Sequence, residues 1–262
     1  MTLRVLDLFS GIAGFTRGLE RAGMRTVGFV EIDPYCQRLL ASQWPGVRID
    51  GDIRARHFVE GEADVVCGGF PCQDISVAGK RAGIAGARSG LYGELVRAIR
   101  VVRPIVALVE NVAALLMDGM GRVLGDMAEI GYDTEWDCIP AAAVGALHYR
   151  DRVWIQAYPN THGVRPQRLR PSPSGAWTQQ QLEGLVQAEL RLSVPSGKSG
   201  GVVDGVRHRK HRLTALGNAV LPQIPEIIGR EIMRARTLLK RESVENGTDA
   251  LAPCSTTNRT AA

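Results

Sequence analysis

The segment Ala63-Asp64-Val65-Val66-Cys67-Gly68-Gly69-Phe70-Pro71-Cys72-Gln73 carries the clearest indication of the fold. Its first five residues form a mostly apolar run that predicts a buried strand, and the two glycines after it predict a turn. Cys72 would then stand on an open loop at the edge of an α/β sheet, where such folds bind ligands. As a nucleophile it would need a pKa lowered by a helix N-terminus or by nearby positive charge. The spacing leaves a second interpretation open, because an isolated cysteine is often a small buried apolar residue.

Outward from this segment, apolar runs alternate with helical patterns along most of the chain. Strands are predicted at 4–9, 26–30, 47–49, 63–67, 105–109, 132–139 and 152–158, and helices at 15–22, 35–43, 91–102, 120–130 and 222–240. This alternation predicts an α/β fold with a doubly wound, Rossmann-like, mostly parallel sheet of seven strands. The last two strands are expected to form a hairpin with one antiparallel member.

Three of the predicted strands end in a glycine or an acid. The turn Ser10-Gly11-Ile12-Ala13-Gly14 follows the first strand, Glu31 and Asp33 follow the second, and Gly51-Asp52-Ile53 follows the third. The turn lets backbone N–H groups approach a ligand, and a carboxylate after the second strand can accept both hydroxyls of a ribose. One nucleoside pocket explains all three strand ends. Taken alone, however, Glu31 can be interpreted as a surface charge and Asp52 as a helix cap.

The fifth predicted strand is followed by Glu110-Asn111-Val112. Since this strand comes next after the one that leads to Cys72, its acid is expected to point into the same crevice. In a dry crevice the carboxyl group can stay protonated or share a proton. The alternative is that Asn111 caps a helix.

Length and composition are those of an ordinary globular protein. The chain has 262 residues, 45% of them hydrophobic and 23% charged, which suits one large domain or one domain with a small appendage. Apolar runs stay well short of the roughly 18 uncharged residues of a membrane span. Because Arg4 and Asp7 interrupt the N-terminal apolar run, we expect no signal peptide, no membrane partner and a cytoplasmic location.

Cysteine usage argues against a disulfide framework or a metal centre. The five cysteines are scattered and odd in number, and none forms a CxxC pair, so no metal is expected. Cys36, on a predicted helix, and Cys67, within a predicted strand, are interpreted as packing residues. Cys254 lies in a polar C-terminal tail.

Positive charge is concentrated in the second half of the chain. Residues 160–212 contain nine lysines and arginines and three acids, and the resulting excess of six positive charges is larger than the net charge of +5 of the whole chain. A basic lobe favours a polyanion as partner, although a solvated loop fits the charge equally well. The glycine-rich, basic stretch 73–89 has the composition of a mobile lid or of an ordinary connector.

Five short motifs occur in a fixed order: Phe9-Ser10-Gly11, Phe70-Pro71-Cys72-Gln73, Glu110-Asn111-Val112, Arg150-x-Arg152 and Gly217-Asn218-Ala219-Val220. With them the chain resembles the bacterial and phage type of cytosine carbon-5 DNA methyltransferase, over about residues 3–158 and 212–233. The resemblance implies a catalytic and S-adenosylmethionine-binding domain at 1–158. It further implies a short basic target recognition region at 159–211 and a C-terminal segment at 212–240 that completes the catalytic domain. Residues 241–262 are expected to be disordered.

The resemblance also implies a site and its roles. Cys72 would attack carbon 6 of a flipped cytosine, Glu110 would hold or protonate ring nitrogen 3, and Arg150 and Arg152 would steady the base. The implied substrate-binding residues are Phe70, Pro71, Gln73, Ser76 and Asn111. The implied residues that bind S-adenosylmethionine, or its product S-adenosylhomocysteine, are Phe9, Gly11, Ile12, Gly14, Glu31, Ile32, Asp52, Ile53, Leu91, Asn218 and Ala219. Glu31 would take the ribose, and Asp52 the adenine amino group.

Duplex DNA is the partner that the resemblance implies, with a cognate restriction endonuclease as a further one, and we expect a monomer. This chain departs from the family pattern at Ala13, where glycine is usual, and at Ile32, where an aromatic residue is frequent. We expect the extra methyl group of Ala13 to be harmless. The recognition region is short for the family, so sequence specificity is expected to be loose, short or supplied partly by oligomerisation.

Three alternative functions fit the sequence less well. An RNA (tRNA) cytosine-5 methyltransferase has a similar fold, but the cysteine-phenylalanine-threonine signature of those relatives is absent. A non-catalytic DNA-binding relative is disfavoured by the intact Cys72, Glu110 and Arg152. A methyltransferase that acts on amino nitrogen would need an Asn/Asp-Pro-Pro-aromatic loop, and the sequence has none.

Overall fold

The computed structural model describes residues 2–71, 90–117, 119–144, 151–160 and 219–245, with the side chains of the last helix described as far as Leu238. The strands in these ranges are β1 (Arg4–Leu8), β2 (Arg25–Val30), β3 (Arg48–Asp50), β4 (Val65–Gly69), β5 (Val106–Val112), β6 (Tyr132–Pro140) and β7 (Asp151–Pro159). The helices are α1 (Gly14–Arg21), α2 (Pro34–Gln43), α3 (Gly90–Val102), α4 (Met120–Glu129) and α5 (Gln223–Glu245). Short 3-10 turns occupy Ile53–Ala55, Ala113–Leu116 and Ala141–Val144.

The strands form one seven-stranded sheet in the order β3-β2-β1-β4-β5-β7-β6. Neighbouring strands from β3 to β5 are parallel, whereas β7 runs antiparallel to both β5 and β6. The predicted mostly parallel sheet and its single antiparallel member are therefore confirmed. The chain winds outward in one direction from β1 and in the other from β4, so the carboxyl ends of these two strands mark the switch point where such sheets bind ligands.

Alternate residues of the strands feed two apolar cores, one on each face of the sheet. On β1, Leu6 and Leu8 pack in a cluster with Leu95 of α3, whereas Val5 packs in a second cluster with Phe15 of α1 and Ile228 of α5. This two-sided burial explains why the central strands are near-continuous apolar runs in the sequence.

Helix α5 packs against α1 at positions where only glycine fits. A Cβ atom on Gly14 would lie 2.3 Å from the carbonyl oxygen of Val220, and one on Gly18 would lie 2.2 Å from that of Pro222. Gly229 of α5 makes the reciprocal approach, since a Cβ there would lie 2.8 Å from the Cβ of Ala22. These contacts bring the residues that precede α5 close to the sheet.

The predicted turn at Gly68-Gly69 is wrong, because both glycines belong to β4. A Cβ on Gly68 would come within 2.7 Å of the carbonyl oxygen of Leu8, and one on Gly69 within 2.7 Å of Glu110 Oε2. The glycines therefore allow close approach to β1 and to a side chain of β5 rather than a change of chain direction.

The fifth strand is longer than predicted and includes Glu110, Asn111 and Val112, which pair with Trp154, Val153 and Arg152 of β7. The proposed helix cap by Asn111 is wrong as well, since the 3-10 turn after Val112 has no side-chain cap. At the C-terminus, α5 continues to Glu245, beyond the predicted end of the helix and into the predicted disordered tail. The apolar spacing of Ile224, Ile227, Ile228, Ile232 and Leu238 in the sequence predicts that all five lie on one apolar side of this helix, but Leu238 is 41% exposed.

Three predicted regions fall wholly or largely outside the described residues: the lid at 73–89, all but the first two residues of the recognition region, and the tail beyond 245. Within the described ranges, none of the helices is both long enough and apolar enough to cross a membrane.

Candidate active site

A cleft of about 310 Å³ opens at the carboxyl ends of β1, β2, β4 and β5. Its walls include every predicted site residue that the structure describes: Phe9, Gly11, Ile12, Gly14, Glu31, Ile32, Asp52, Ile53, Phe70, Pro71, Leu91, Glu110, Asn111, Arg152 and Ala219. The other predicted site residues, Cys72, Gln73, Ser76, Arg150 and Asn218, lie outside the described residues. Residues from both halves of the chain thus meet at one edge of the sheet.

Glu31 is held by the tips of two strands. The backbone N–H of Gly11, in the turn after β1, donates to its Oε2 at 2.7 Å, and the N–H of Asp33 donates to Oε1 at 2.7 Å. Gly11 adopts a φ of +53°, in the left-handed region that glycine tolerates best. A carboxylate has about four acceptor positions, so these two bonds leave capacity for the two hydroxyls of a ribose.

The turn after β1 is anchored by the fully buried side chain of Asp7, which lies in β1. Its Oδ2 accepts from the hydroxyl of Thr16 at 2.7 Å and from the Thr16 N–H at 3.3 Å. Asp7 therefore caps the first turn of α1, whose N-cap residue Ala13 offers no side-chain acceptor. Burial raises the pKa of Asp7 to about 7.

Ala13 itself has φ +67° and ψ +40°. A left-handed conformation costs a residue with a Cβ roughly 1–2 kcal/mol. The methyl group of Ala13 is buried against Phe29 and Leu40, but this backbone conformation favours glycine. That the alanine is harmless here stays a prediction.

Asp52 has a position that fits both interpretations of the sequence, beside the cleft and at the start of a turn. It lines the cleft, and its Oδ1 accepts from the N–H of Arg54, which caps the 3-10 turn that follows. The Arg54 guanidinium also grips both carboxylate oxygens, with Nη2 at 2.7 Å from Oδ2. These hydrogen bonds lower the pKa of the Asp52 carboxyl group.

The chain that leaves β4 is fixed by Asn111. The Nδ2 group of this buried side chain donates to the carbonyl oxygen of Phe70 at 3.1 Å. The Phe70 ring packs on Tyr92 of α3 with centroids 5.0 Å apart. As a result Phe70 and Pro71, the last residues before Cys72, are held against the cleft.

Glu110 and Arg152 form an ion pair across β5 and β7, with Arg152 Nε 2.8 Å from Glu110 Oε1. Glu110 is 9% exposed, and Gly69 leaves the space that its carboxylate occupies. Truncating one partner of so shielded a pair would leave the other charge poorly solvated. The pair presents an acid and a fixed cation to the same cleft that Phe70 and Pro71 line.

None of the three cysteines in the described ranges is poised as a nucleophile. Burial raises the pKa of Cys36, which lines the cleft, to about 12, and raises that of Cys67 inside the sheet. Burial also raises the pKa of Cys138 on β6. Thiols of this kind are inert packing groups, as predicted for Cys36 and Cys67. The described residues also contain no group of three or more His, Cys, Asp or Glu that could hold a metal ion.

The sequence analysis missed the roles of Asp7, Gly69 and Arg97. Gly69 lines the cleft beside Glu110, whereas Asp7 supports the turn after β1 from outside the cleft, and Arg97 of α3 donates from outside to the backbone carbonyl groups of Ile53 and Arg56. A charged residue inside the apolar run Val5-Leu6-Asp7-Leu8 was the available signal for a buried acid. The roles of Gly69 and Arg97 depend on contacts between distant segments, and no local pattern marks them.

Comparison with known proteins agrees with this geometry. A family model described as C-5 cytosine-specific DNA methylase matches residues 3–199. The chain is 36% identical over 163 residues to the type II methyltransferase M2.BsuMI of Bacillus subtilis (strain 168), a match that covers 59% of this chain and 42% of the relative. It is 31% identical over 168 residues to the type II methyltransferase M.HhaI of Haemophilus parahaemolyticus, covering 62% and 51%.

Among solved structures, the Dnmt2 methyltransferase of S. pombe superposes with a TM-score of 0.50 and 21% identity, over 62% of this chain and 52% of that one. At this identity the likeness supports the fold alone. The chain spans between two fifths and about half of the length of the two relatives. The family model, however, covers well over half of the 262 residues. The chain belongs to the C-5 cytosine-specific DNA methylase family.

Proposed function

We propose that this chain transfers a methyl group from S-adenosylmethionine to carbon 5 of a flipped cytosine in duplex DNA. The observation that carries the proposal is that three features line one cleft. They are the Glu110–Arg152 ion pair, the Glu31 carboxylate with free capacity to accept the hydroxyl groups of a ribose, and the Phe70-Pro71 segment that leads to Cys72. Family membership supports the same reaction.

The residues around the strand tips fit the cofactor. Glu31 is held by two backbone N–H groups with acceptor capacity to spare, and the open glycine turn beside it admits a ligand close to the backbone. We assign the ribose to Glu31 and the adenine amino group to Asp52. The remaining cofactor contacts go to Phe9, Gly11, Ile12, Gly14, Ile32, Ile53, Leu91, Asn218 and Ala219. When bound, S-adenosylmethionine supplies the methyl group and leaves as S-adenosylhomocysteine.

Cys72 is assigned as the nucleophile because it directly follows Pro71, which lines the cleft. Its thiolate sulfur bonds to carbon 6 of cytosine, and the electron pair of the carbon 5–carbon 6 double bond becomes available at carbon 5 for methylation. A base then removes the carbon 5 proton, the sulfur–carbon 6 bond breaks, and its electrons return to the sulfur as the double bond re-forms.

Glu110 is assigned to ring nitrogen 3, where a proton or hydrogen bond draws off the charge that develops during addition. Arg152 holds the Glu110 carboxyl group in place at 2.8 Å, and we assign Arg152 and Arg150 to the flipped base and its backbone. Such flipping costs a few kcal/mol, which contacts to the extruded nucleotide offset. We place Phe70, Pro71, Gln73, Ser76 and Asn111 on this substrate side.

The basic segment 159–211 is assigned to target recognition, because its excess of positive charge suits the DNA backbone. The relatives named above are type II methyltransferases, so we propose a role in a restriction–modification system, with a cognate endonuclease as functional partner. The protein would act as a monomer in the cytoplasm of a bacterial or phage-infected cell.

Duplex DNA that contains 5-fluorocytosine tests the mechanism. Fluorine replaces the proton that a base must remove from carbon 5, so the adduct with the thiol cannot break down and persists. We expect a covalent complex with the wild type and with Cys138→Ala, a matched control, and none with Cys72→Ala. Methylation of cytosine by Cys72→Ala would exclude this mechanism. Tritiated methyl transfer to duplex DNA and to tRNA, measured side by side, tests the substrate: a preference for RNA would favour the alternative activity.

A further inference from the structure

The turn at Asp52–Arg56, here called the Asp52 turn, is held from outside the cleft by one side chain of α3. Arg97 Nη2 donates to the carbonyl oxygen of Ile53 at 2.8 Å, and Nη1 donates to that of Arg56 at 3.2 Å. Its Nε donates to Glu94 Oε2 at 2.7 Å. All three nitrogens of the planar group are therefore engaged, an arrangement that the single ammonium of a lysine cannot reproduce.

The same guanidinium is packed into the protein. Its central carbon lies 4.8 Å from the centroid of the Phe58 ring, and that of Arg56 lies 4.9 Å from the same centroid. The Arg97 side chain is 29% exposed. Stacking and three directed hydrogen bonds leave the group little freedom, so the position of the Asp52 turn depends on α3.

Helix α3 also contributes directly to the cleft. Leu91, in its first turn, lines the wall of the cleft, and Glu94 and Arg97 follow at three-residue intervals on neighbouring turns. The helix thus contacts the ligand space at Leu91 and grips the Asp52 turn at Arg97. Replacing Arg97 would remove the two hydrogen bonds from α3 to the turn without changing any residue that lines the cleft.

We propose that Arg97 is the positioning residue for adenine recognition: by holding the carbonyl groups of Ile53 and Arg56, it fixes the Asp52 carboxylate where it accepts the exocyclic amino group of the base. This inference rests on the proposed function, since it takes the cleft to be the S-adenosylmethionine site. Arg54 completes the arrangement from the solvent side, because it grips the same carboxylate. Discrimination for an amino group over a carbonyl oxygen at that position of the base follows from this carboxylate, which accepts hydrogen bonds and repels another acceptor.

Calorimetric affinities for S-adenosylhomocysteine and for S-inosylhomocysteine, which carries oxygen in place of the amino group, test the inference on the full chain. For Arg97→Met we expect the S-adenosylhomocysteine affinity to fall about tenfold or more, on the scale of lost hydrogen bonds to a charged group. The affinity for the inosyl analogue should change much less, so the ratio between the two ligands should collapse. Arg100→Met, an exposed arginine on the same helix, should leave both affinities unchanged.

Arg97→Lys, which keeps the charge but not the fork of donors, should also reduce the ratio, and it serves if the methionine variant fails to fold. A ratio equal to that of the wild type in a folded Arg97 variant would overturn the inference, whatever the change in melting temperature. Failure of the wild type to bind S-adenosylhomocysteine would contradict the proposed function instead.

Discussion

Replacing Gly18 with alanine should disrupt the contact that brings the C-terminal segment to the cleft. A Cβ atom at this position would lie 2.2 Å from the carbonyl oxygen of Pro222 and 2.7 Å from the backbone nitrogen of Glu226. Both are backbone atoms, one directly before α5 and one in its first turn, so relief of the collision requires that the whole helix move. Gly125, in the middle of α4, offers a matched control, because no atom in the described part of the chain lies within 4 Å of a Cβ there.

The expected magnitudes follow from two opposing effects. Alanine is about 1 kcal/mol more favourable than glycine inside an exposed helix, and Gly125→Ala should gain that amount. At Gly18 the same gain is opposed by overpacking, which costs about 1–3 kcal/mol. The upper end of this range applies because the added methyl group would collide with backbone atoms rather than with a flexible side chain. Gly18→Ala should therefore lose about 2 kcal/mol of unfolding free energy, and about 3 kcal/mol should separate the two variants.

Thermal and urea unfolding of the full chain measure these changes. At roughly 2–4 °C per kcal/mol for a protein of this size, Gly18→Ala should melt about 4–8 °C lower and Gly125→Ala about 2–4 °C higher than the wild type. Because Val220 and Ala219 line the cleft, Gly18→Ala should also bind S-adenosylhomocysteine more weakly, and Gly125→Ala should not. Equal stabilisation of the protein by both substitutions would refute the close packing of α5 on α1.

Asp7→Asn should remove a pH dependence of stability. Burial raises the pKa of Asp7 from 3.8 to about 7, so between these pH values the folded wild type holds a proton that the unfolded chain releases. The unfolding free energy of the wild type therefore falls as the pH rises through that interval. Between pH 4 and 8 the variant should lose up to about 4 kcal/mol less than the wild type by urea unfolding, and parallel pH profiles would contradict the assignment. Glu110→Gln should lower single-turnover methyl transfer by about 10²–10⁴, as expected for a lost proton donor, with S-adenosylhomocysteine affinity within twofold; a full rate would remove Glu110 from the mechanism. Ala13→Gly should change the unfolding free energy by less than about 1 kcal/mol, because relief of the left-handed backbone offsets the lost buried methyl group, whereas a β-branched valine there should clearly destabilise the protein.

The sheet could be predicted because its strands are buried on both faces. Such strands appear in the sequence as apolar runs such as Val65-Val66-Cys67, and amphipathic helices lie between them. The acids and glycines at strand ends could be assigned to one site for the same reason, since parallel strands place their carboxyl ends at one edge. The cleft residues at the ends of the parallel strands follow from these two rules, whereas Leu91, Arg152 and Ala219 were expected only from the resemblance to a known family.

The missed features all depend on distances between segments that are remote in sequence. Gly68 and Gly69 resemble a turn, and only the positions of Leu8 and Glu110 show why a strand needs glycine there. Asp7 and Arg97 likewise act through partners in other elements. The assignments of Cys72, Arg150 and Asn218 remain predictions, and the experiment with 5-fluorocytosine tests that of Cys72.

The reversed direction of β7 decides which of its residues can reach the cleft. In a parallel strand the last residues stand at the ligand-binding edge, but in β7 it is the first, and Arg152 pairs with Val112 at the carboxyl end of β5. At the other end of the strand, the N–H of Asn160 donates to the carbonyl oxygen of Gly131, just before β6 begins. Asn160, the last described residue before the basic segment, therefore lies at the end of the sheet remote from the cleft, whereas Ala219, the next described residue, lines the cleft. One antiparallel strand thus places the partner of Glu110 beside the cleft and attaches the start of the proposed recognition segment away from it.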